Sequence, residues 1–299
     1  MAQRIEELSI VKKHFSGKVR DIYDLGDELL IVTSDRISAF DVVFPDEIPN
    51  KGKILTQISV HFFKETKDII ENHFITDNID EFPAELHEFR EELEDRSMLV
   101  RKTRVIPFEC IVRGYITGSA WKEYKAGGTV GGYILPEGLQ ESQRFPEALF
   151  TPSTKEEEGH DVNITYNQLL DSCDRKIAEV LKHKSLELYR YAHTLLWDKG
   201  IIFADTKFEF GTIGDKIILI DEMLTPDSSR YWDIKEHTVG ATPNSYDKQY
   251  VRDYISAEGW DKEPPAPKLP KEVIEKSYEK YYQAYKFVVG EKAKKWDTK

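Results

Sequence analysis

With 299 residues the chain can bury a large core, and its formal net charge of −12 argues against nucleic acid as a partner, because binding a phosphate backbone requires a basic face. No stretch approaches the roughly 18 apolar residues of a membrane span, and residues 1–10 lack the apolar core of a signal peptide. The two cysteines, Cys110 and Cys173, lie in apolar segments without metal-ligand spacing, so we expect buried free thiols in a cytoplasmic protein that binds neither nucleic acid nor a membrane.

Strands are predicted to dominate the first hundred residues, with one helix among them. Residues 16–33 alternate apolar and polar side chains on both sides of a Leu-Gly-Asp turn, which predicts a β-hairpin. Lys18 and Arg20 follow a glycine at its start, where a backbone can approach a phosphate, although this pattern alone is more often an ordinary strand entry. The polar segment 34–41 is predicted to be a loop, and an amphipathic helix is predicted from about Ile54 to Ile70.

Two further strands and a polar loop follow in the middle of the chain. The strands, 98–105 and 109–112, are separated by Pro107, so they cannot form one continuous central strand. The second strand runs into 113–119, a loop with an arginine, glycines and hydroxyls. An acidic protein can still bind a small anion where basic residues gather in a cleft. The candidates for such a cleft are Lys18, Arg20, Arg36, Lys51, Lys53, Arg113, Lys155, Lys207 and Arg230.

Helices are predicted to dominate the rest of the chain around one hairpin. A capping box at Thr165 and Gln168 starts a helix whose apolar face extends to about Val180. A second helix is predicted from Leu186 to Lys199, because Gly200 supplies a typical helix stop. After a proline-rich linker at 263–270, Lys271 to Val289 has apolar and aromatic residues three and four apart and is predicted to be a helix.

The stretch 200–230 carries most of the recognisable chemistry. Its two apolar arms, 201–204 and 216–220, flank a turn-rich segment, which predicts a hairpin with a loop of several residues. Hydroxyls, turn amides and an arginine at 225–230 are groups that hold a phosphate monoester. We therefore expect an anion site next to the hairpin.

Carboxylates on the hairpin suggest a metal site. Because side chains on a strand alternate between faces, Asp205, Lys207 and Glu209 should share one face. If the arms pair symmetrically about the turn, Asp221 lies across from Asp205, and three carboxylates converge on one ammonium group. Oxygen ligands of this kind suit Mg²⁺ and phosphoryl transfer, whereas the alternative interpretation is a solvated face with a chance mixture of charges.

Together these motifs are similar to those of the SAICAR synthetase family, the phosphoribosylaminoimidazole-succinocarboxamide synthases. The two signatures of that family resemble VIPFECIVRGYITGS at 105–119 and FADTKFEFG at 203–211. The resemblance continues, in family order, through SGKVRDIY, SDRISAFD, NKGK and DEMLTPDSSRYWD, and so covers 16–233. Phe108 and Phe203 replace smaller aliphatic residues, which we interpret as packing variation. The long form with a C-terminal helix resembles the yeast-type members.

The resemblance implies an α+β fold with two lobes around an ATP cleft, related to protein kinases and ATP-grasp enzymes. Residues 1–104 would form a β-rich lobe that covers ATP, and 105–299 an α+β lobe with the metal and substrate sites and a C-terminal helix. The implied reaction is the ATP-dependent ligation of L-aspartate to the carboxylate of carboxyaminoimidazole ribonucleotide through an acyl phosphate, in purine biosynthesis. The cofactors would be ATP and Mg²⁺, and the partners small molecules, with a monomer preferred but the oligomeric state left open.

Roles for individual residues are implied by the same resemblance. Metal ligation falls to two carboxylates, Glu209 and Asp221. Catalysis falls to Lys207, Asp205 and Lys155. Contacts with ATP fall to Lys18, Arg20, the backbone near Val105, and Glu109. Contacts with the ribonucleotide phosphate or with aspartate fall to Arg113, Ser119, Arg230, Ser229, Asp35, Arg36 and Ser38.

Two other functions remain open at this point. The first is an ATP-dependent kinase or ligase of the same architecture acting on another acid, although a substrate without phosphate would not need Arg113, Ser119 and Arg230. The second is a purine-nucleotide-binding regulator without catalysis, although a protein that only binds has no need for an accurately placed set of carboxylates.

Overall fold

The computed structural model describes residues 11–155 and 161–298, and these form an α+β fold built on two antiparallel sheets. Residues 1–10, where the sequence predicts no signal peptide, lie outside the described residues. No helix in the described part of the chain is long and apolar enough to cross a membrane.

The first sheet comes from the first hundred residues. Its strands are β1 (Lys12–Ser16), β2 (Arg20–Asp24), β3 (Glu28–Thr33), β6 (Phe74–Thr76) and β7 (Ser97–Arg101), in the order β1-β2-β3-β7-β6. The hairpin predicted at 16–33 is confirmed as β2 and β3, with Asp24 opposite Leu29. Short helical turns at Ile79–Glu81 and Ala84–Phe89, followed by helix α2 (Arg90–Leu93), cover one face of this sheet.

The predicted loop at 34–41 is instead mostly a second hairpin. Strands β4 (Arg36–Ala39) and β5 (Val42–Glu47) pair around Phe40 and Asp41, whose φ angles of 51° and 65° lie in the left-handed region that tight hairpin turns require. The sequence analysis missed β4 because it has only four residues, most of them small or polar. Its alternation of apolar and polar side chains is too short to distinguish a strand from a loop.

Helix α1 (Lys51–Glu65) begins earlier than its apolar pattern predicts. The carboxylate of Asp35 accepts hydrogen bonds from the N–H groups of Asn50 (3.2 Å) and Gly52 (2.8 Å), so it satisfies donors that an isolated helix start would leave open. A Cβ on Gly52 would lie 2.2 Å from the carbonyl oxygen of Thr33, which explains a glycine in the first turn.

The second sheet is organised around the long strand β14 (Ile201–Ile213), which pairs with four others. Its other strands are β8 (Arg104–Val105), β9 (Phe108–Tyr115), β12 (Arg144–Phe150), β13 (Ser153–Thr154), β15 (Lys216–Ile220) and β16 (Ser229–Asp233). A small separate hairpin consists of β10 (Thr129–Val130) and β11 (Tyr133–Ile134).

The register of β14 and β15 corrects the predicted hairpin. Ile213 lies opposite Lys216, so the loop contains only Gly214 and Asp215 and not several residues. Glu209 therefore lies opposite Ile220, and Asp221 follows the end of β15 instead of facing Asp205. The prediction was wrong because it counted residues 211–213 as turn, whereas they continue the strand.

The remaining helices are α3 (Gly118–Gly127), α4 (Tyr166–Ser172), α5 (Arg175–Trp197), α6 (Gln249–Ala257) and α7 (Lys271–Val289). The capping box at Thr165 and Gln168 and the bounds of α7 are confirmed. The predicted break between Val180 and Leu186 is wrong, since α5 is continuous there. The chain breaks instead before Asp174, whose carboxylate accepts a hydrogen bond from the N–H of Lys176 (2.8 Å) and caps α5.

A single apolar core joins the two sheets. It contains buried residues from Ile31 on β3 to Val288 on α7, and it includes the aromatic face of β14. Both cysteines are free, with Cys110 buried in this core and Cys173 half-buried at its edge. Because the aromatic face of β14 is packed in this core, the side chains on its other face have a fixed position relative to both sheets.

Candidate active site

Strand β14 presents three charged side chains on the face opposite its aromatic residues. Its pairing with β16 shifts by one residue between Phe203 and Thr206, which is a β-bulge. Because of this extra residue, Phe203 and Phe208 both face the apolar core. Asp205, Lys207 and Glu209 then lie on the other face, as the alternation of the sequence predicts.

At one end of this face, two guanidinium groups share one carboxylate, and we call this set the arginine cluster (Asp205, Arg113 and Arg230). Arg230 forms an ion pair with Asp205, and Arg113 Nη1 lies 3.5 Å from the same carboxylate oxygen. Arg113 also donates hydrogen bonds to the hydroxyls of Thr151 (3.0 Å) and Ser119 (3.2 Å). Within these three side chains, positive charge exceeds negative charge by one.

Burial makes this excess charge costly. It lowers the pKa of Arg113, although the charge of Asp205 opposes the shift. Burial acts in the same direction on Arg230, but the charges of Asp205 and Asp247 outweigh it and raise the pKa of that side chain. A bound anion would relieve the unfavourable burial of two like charges.

Gly118 gives Arg230 room at the start of α3. Its φ of +56° is in the left-handed region, and a Cβ built there would lie 2.5 Å from Nη2 of Arg230. The side chain of Arg230 therefore leaves no space for a Cβ at position 118, which explains the glycine there. Ser119 follows directly, so it lies beside Arg230.

At the other end, carboxylates outnumber cations, and we call this set the carboxylate cluster (Glu109, Glu209, Asp221 and Glu222, with Lys155, Lys207 and Arg20). Lys207 forms an ion pair with Glu109 and lies 3.3 Å from Glu209, which also pairs with Lys155. Burial would lower the pKa of Lys207, but Glu209, Glu109 and Asp221 outweigh it and raise that pKa. Lys207 is therefore a permanent cation.

Arg20 connects this cluster to the first sheet. Its guanidinium lies 2.8 Å from Asp221 and 3.1 Å from Glu222, just beyond the end of β15. Burial would raise the pKa of Asp221, but Arg20, Lys207 and Lys155 together lower it, so the carboxylate is ionised. Asp221 has a φ of +67°, an uncommon conformation for a residue other than glycine.

The cluster does not by itself complete a metal cage. Within residues 11–155 and 161–298, no three His, Cys, Asp or Glu side chains lie close enough together to hold a metal ion. The three carboxylates predicted to converge are separated, since Asp205 belongs to the arginine cluster. Glu209 and Asp221 both belong to the carboxylate cluster, where Glu209 lies 3.3 Å from Lys207 and Asp221 lies 2.8 Å from Arg20. Two carboxylates suit Mg²⁺, which takes one or two from a protein and completes its shell with water and phosphate.

Lys18 lies in the turn between β1 and β2, and Arg36 begins β4. Lys18 is exposed and forms an ion pair with Asp41 at the tip of the β4–β5 hairpin. Arg36 donates to the backbone carbonyls of Gly17 (3.2 Å) and Lys18 (3.1 Å), and to the carboxylate of Asp21 (3.1 Å). Arg36 thus fixes the loop that carries Lys18.

Other predicted site residues have structural contacts of their own. Asp35 caps α1 and accepts a hydrogen bond from Arg96 (3.1 Å). Ser38 is buried on β4. Ser229 shares a hydrogen bond of 2.8 Å with Thr206, on the face of β14 opposite Asp205. Val105 is half exposed on β8, where it lies opposite Gly211 of β14.

Two parts of the site were missed by the sequence analysis. Glu222 pairs with Arg20 and accepts a hydrogen bond from Thr225, and its position directly after Asp221 could have indicated it. A buried network around Asp227 contains Lys51 and Lys248, and nothing in the sequence pattern connects these distant residues.

Comparison with known proteins identifies the family. The SAICAR synthetase family model matches residues 13–267. A phosphoribosylaminoimidazole-succinocarboxamide synthase from Thermodesulfovibrio yellowstonii is 53% identical over 274 residues, which cover 92% of this chain and 94% of that protein. One from Geotalea uraniireducens is 52% identical over 275 residues, covering 92% and 93%.

Solved structures agree with this assignment. A SAICAR synthase from Saccharomyces cerevisiae, complexed with SAICAR, superposes with a TM-score of 0.88 at 43% identity and covers 98% of both chains. A type-2 SAICAR synthetase in complex with ADP superposes with a TM-score of 0.67 at 26% identity, covering 94% of this chain and 99% of that one. The closer match to the yeast structure agrees with the yeast-type long form predicted from the sequence. This chain therefore belongs to the SAICAR synthetase family, the enzymes of purine biosynthesis that use ATP to ligate L-aspartate to the carboxylate of carboxyaminoimidazole ribonucleotide.

Proposed function

We propose that this chain performs the ligation of its family with the arginine cluster holding the ribonucleotide phosphate and the carboxylate cluster holding Mg²⁺ and ATP. The observation that carries the proposal is the excess positive charge buried between Arg113 and Arg230. Paired guanidinium groups bind phosphate in a defined geometry. Ser119, which accepts a hydrogen bond from Arg113, would add a hydroxyl to the same site.

ATP would lie between the first sheet and β14. Lys18 and Arg20 on the loop and strand of the first sheet would face its phosphates, and the half-exposed backbone at Val105 would meet the adenine. Asp35, Arg36 and Ser38 would lie near substrate or aspartate, with Arg36 acting through the loop that it fixes. The ADP complex of a related synthetase supports a nucleotide site in this fold.

Glu209 and Asp221 would hold Mg²⁺, which neutralises phosphate charge during phosphoryl transfer. In the structure, Lys155 and Lys207 neutralise the charge of Glu209. With Mg²⁺ and ATP bound, both ammonium groups would turn toward the transferred phosphoryl group. Because Lys207 is a permanent cation, we assign it charge stabilisation and not removal of the amine proton. Glu109 would hold Lys207 in place.

The proposed reaction has two chemical steps. The γ-phosphoryl group passes to the carboxylate of carboxyaminoimidazole ribonucleotide and gives an acyl phosphate and ADP. The amine of L-aspartate then attacks the acyl carbon, and phosphate leaves. A carboxylate becomes a good acyl donor only when its oxygen leaves as phosphate, so position and charge supply most of the catalysis. Asp205 would orient both arginines, and Ser229 would support the loop before Arg230.

The proposed lobe boundary after residue 104 falls within β8, the first strand of the second sheet along the chain. A cytoplasmic location and a monomeric state stay predictions.

An assay of ADP release tests the proposed function. The protein is incubated with Mg-ATP and carboxyaminoimidazole ribonucleotide, with and without L-aspartate, and the succinocarboxamide product is measured. We expect product only when all three substrates are present. ATP binding without product would contradict the proposal and favour a regulator, and turnover with a different acid would favour another ligase.

A further inference from the structure

The C-terminal helix α7 reaches the loop that precedes Arg230. The family model ends at residue 267, before α7 begins. The hydroxyl of Tyr281 on α7 nevertheless donates a hydrogen bond of 2.7 Å to the carboxylate of Asp227. Asp227 lies in the connection between β15 and β16, three residues before Arg230. A helix beyond the segment that the family model matches thus contacts the loop that leads to Arg230.

Asp227 is a buried anchor for this loop. Its side chain is 2% exposed, and its other oxygen lies 2.8 Å from Lys51 on α1 and 3.0 Å from Lys248 before α6. Burial would raise the pKa of Asp227, but Lys248, Lys51 and Tyr281 lower it, so the carboxylate stays ionised. Three separate parts of the chain therefore converge on one loop residue.

The anchored loop is also attached to β14. The N–H of Asp227 donates to the hydroxyl of Thr225 (3.2 Å), and the carbonyl of Ser228 accepts from the N–H of Lys207 (3.2 Å). A shift of Asp227 would consequently be transmitted to Ser229 and Arg230, which follow directly.

A second set of contacts connects α7 to Arg230 through Ser245 and Asp247. Lys280, buried next to Tyr281, donates to the carbonyl of Ser245 (2.8 Å), and the hydroxyl of Ser245 bonds to Asp247. The charge of Asp247 acts on Arg230. Neighbouring residues of one helix thus support both the loop before Arg230 and a carboxylate near it.

We propose that α7 is a positioning element for substrate binding and that Tyr281 is its positioning residue, acting through Asp227 on the loop that leads into β16 and Arg230. This inference rests on the proposed role of Arg230 in holding the ribonucleotide phosphate. Tyr281 touches no reacting atom. Its hydroxyl keeps the loop at the position where both guanidinium groups meet the same phosphate, a geometry sensitive to displacements below 1 Å.

The test compares Tyr281→Phe with a matched control on the same helix, Tyr285→Phe. Tyr285 is a similarly buried residue of α7, and among the described residues its hydroxyl accepts a hydrogen bond from the N–H of Lys294 (3.2 Å), away from the loop. Both variants lose one buried hydroxyl and keep the ring. Steady-state KM is measured for carboxyaminoimidazole ribonucleotide, ATP and aspartate, together with the melting temperature.

We expect Tyr281→Phe to raise the KM for the ribonucleotide by about fivefold, with the KM for ATP unchanged. Tyr285→Phe should leave both values unchanged. In an Arg230→Ala background, Tyr281→Phe should change the ribonucleotide KM by less than about twofold, because the group that it positions is gone.

Equal KM values for Tyr281→Phe and wild type would overturn the inference, as would a similar rise in both tyrosine variants or additive effects with Arg230→Ala. Wild-type protein that makes no product from the ribonucleotide would instead contradict the proposed function, so the two failures are distinguishable.

Discussion

The arginine cluster and the carboxylate cluster lie on the same face of one strand, yet their charge balances are opposite. The arginine cluster has two guanidinium groups against one carboxylate, whereas the carboxylate cluster has four carboxylates against three cations. One end is thus suited to an anion and the other to a divalent cation. A single strand can carry both because alternate residues of β14 supply Asp205, Lys207 and Glu209.

The difference explains how an acidic protein binds two phosphorylated substrates. The net charge of −12 repels them at a distance, so attraction must come from local groups. At the arginine cluster, in the proposed arrangement, attraction would come directly from the protein, whereas at the carboxylate cluster it would come through Mg²⁺. Changes at the two ends should therefore affect different substrates.

The largest effect is expected at the carboxylate cluster. Glu209→Gln removes one charge with little change in shape, and we expect kcat to fall by about 10²–10³, because charge stabilisation by the metal site is lost. The KM for the ribonucleotide should change little. Asp215→Asn, at the exposed turn of the same hairpin, is the control. Near-normal turnover of a folded Glu209→Gln protein at low Mg²⁺ would contradict the metal assignment.

A smaller and selective effect is expected at the arginine cluster. Arg230→Gln should raise the KM for the ribonucleotide by about 30- to 150-fold, since a charged hydrogen bond contributes roughly 2–3 kcal/mol. The KM for ATP should stay the same. Steady-state kinetics with each substrate varied in turn would measure both values. Equal rises in both would mean that the two clusters do not bind separate substrates.

Local patterns were predictable from the sequence where neighbouring residues determine them. The face shared by Asp205, Lys207 and Glu209 follows from strand alternation, and the bounds of α7 follow from its apolar stripe. The position of Asp221 did not follow, because a register depends on the exact loop length. Because the turn was predicted to be a few residues too long, Asp221 was expected beside Asp205, whereas in the structure it pairs with Arg20.

Long-range contacts could not be predicted from any local pattern. Lys51 and Asp227 are 176 positions apart, and neither residue indicates the other. The cap of α1 by Asp35 is similar, because the carboxylate comes from a segment predicted to be a loop. The family resemblance implied candidate site residues, and the fold shows which of the charged ones lie together in two clusters of opposite charge balance.

His73 offers a test of the charge at the edge of the carboxylate cluster. It is buried near Asp221, and Nε2 has no hydrogen-bond partner among the described residues. Burial lowers the pKa of His73 to about 4, although the charge and backbone of Asp221 oppose the shift. The folded protein therefore binds this proton less readily than the unfolded chain, whose histidine has a pKa of about 6.5.

The stability that depends on neutral His73 is complete above about pH 6.5 and is lost as the pH falls toward 4. Between pH 7.5 and pH 5, this group should lower the free energy of unfolding by about 2 kcal/mol. The glutamine in His73→Gln does not titrate. Between pH 7.5 and pH 5, the free energy of unfolding of this variant should therefore fall by about 2 kcal/mol less than that of the wild type. Urea unfolding at both pH values measures the difference, and parallel losses would mean that His73 is protonated in the folded state.

The smallest effect is expected at the loop that Arg36 fixes. Arg36→Lys keeps the charge but cannot donate to the carbonyls of Gly17 and Lys18 and to Asp21 at the same time. The loop should become less ordered, and the KM for ATP should rise by about three- to fivefold, while the ribonucleotide KM and the melting temperature stay nearly unchanged. The matched control is Arg90→Lys, because the Arg90 side chain is 41% exposed and, within the described part of the chain, forms ion pairs with Asp80 and Glu94. If Arg36→Lys raised the KM for the ribonucleotide and not the KM for ATP, the loop would serve the same substrate as the arginine cluster. The proposed placement of ATP at the other end of β14 would then be contradicted.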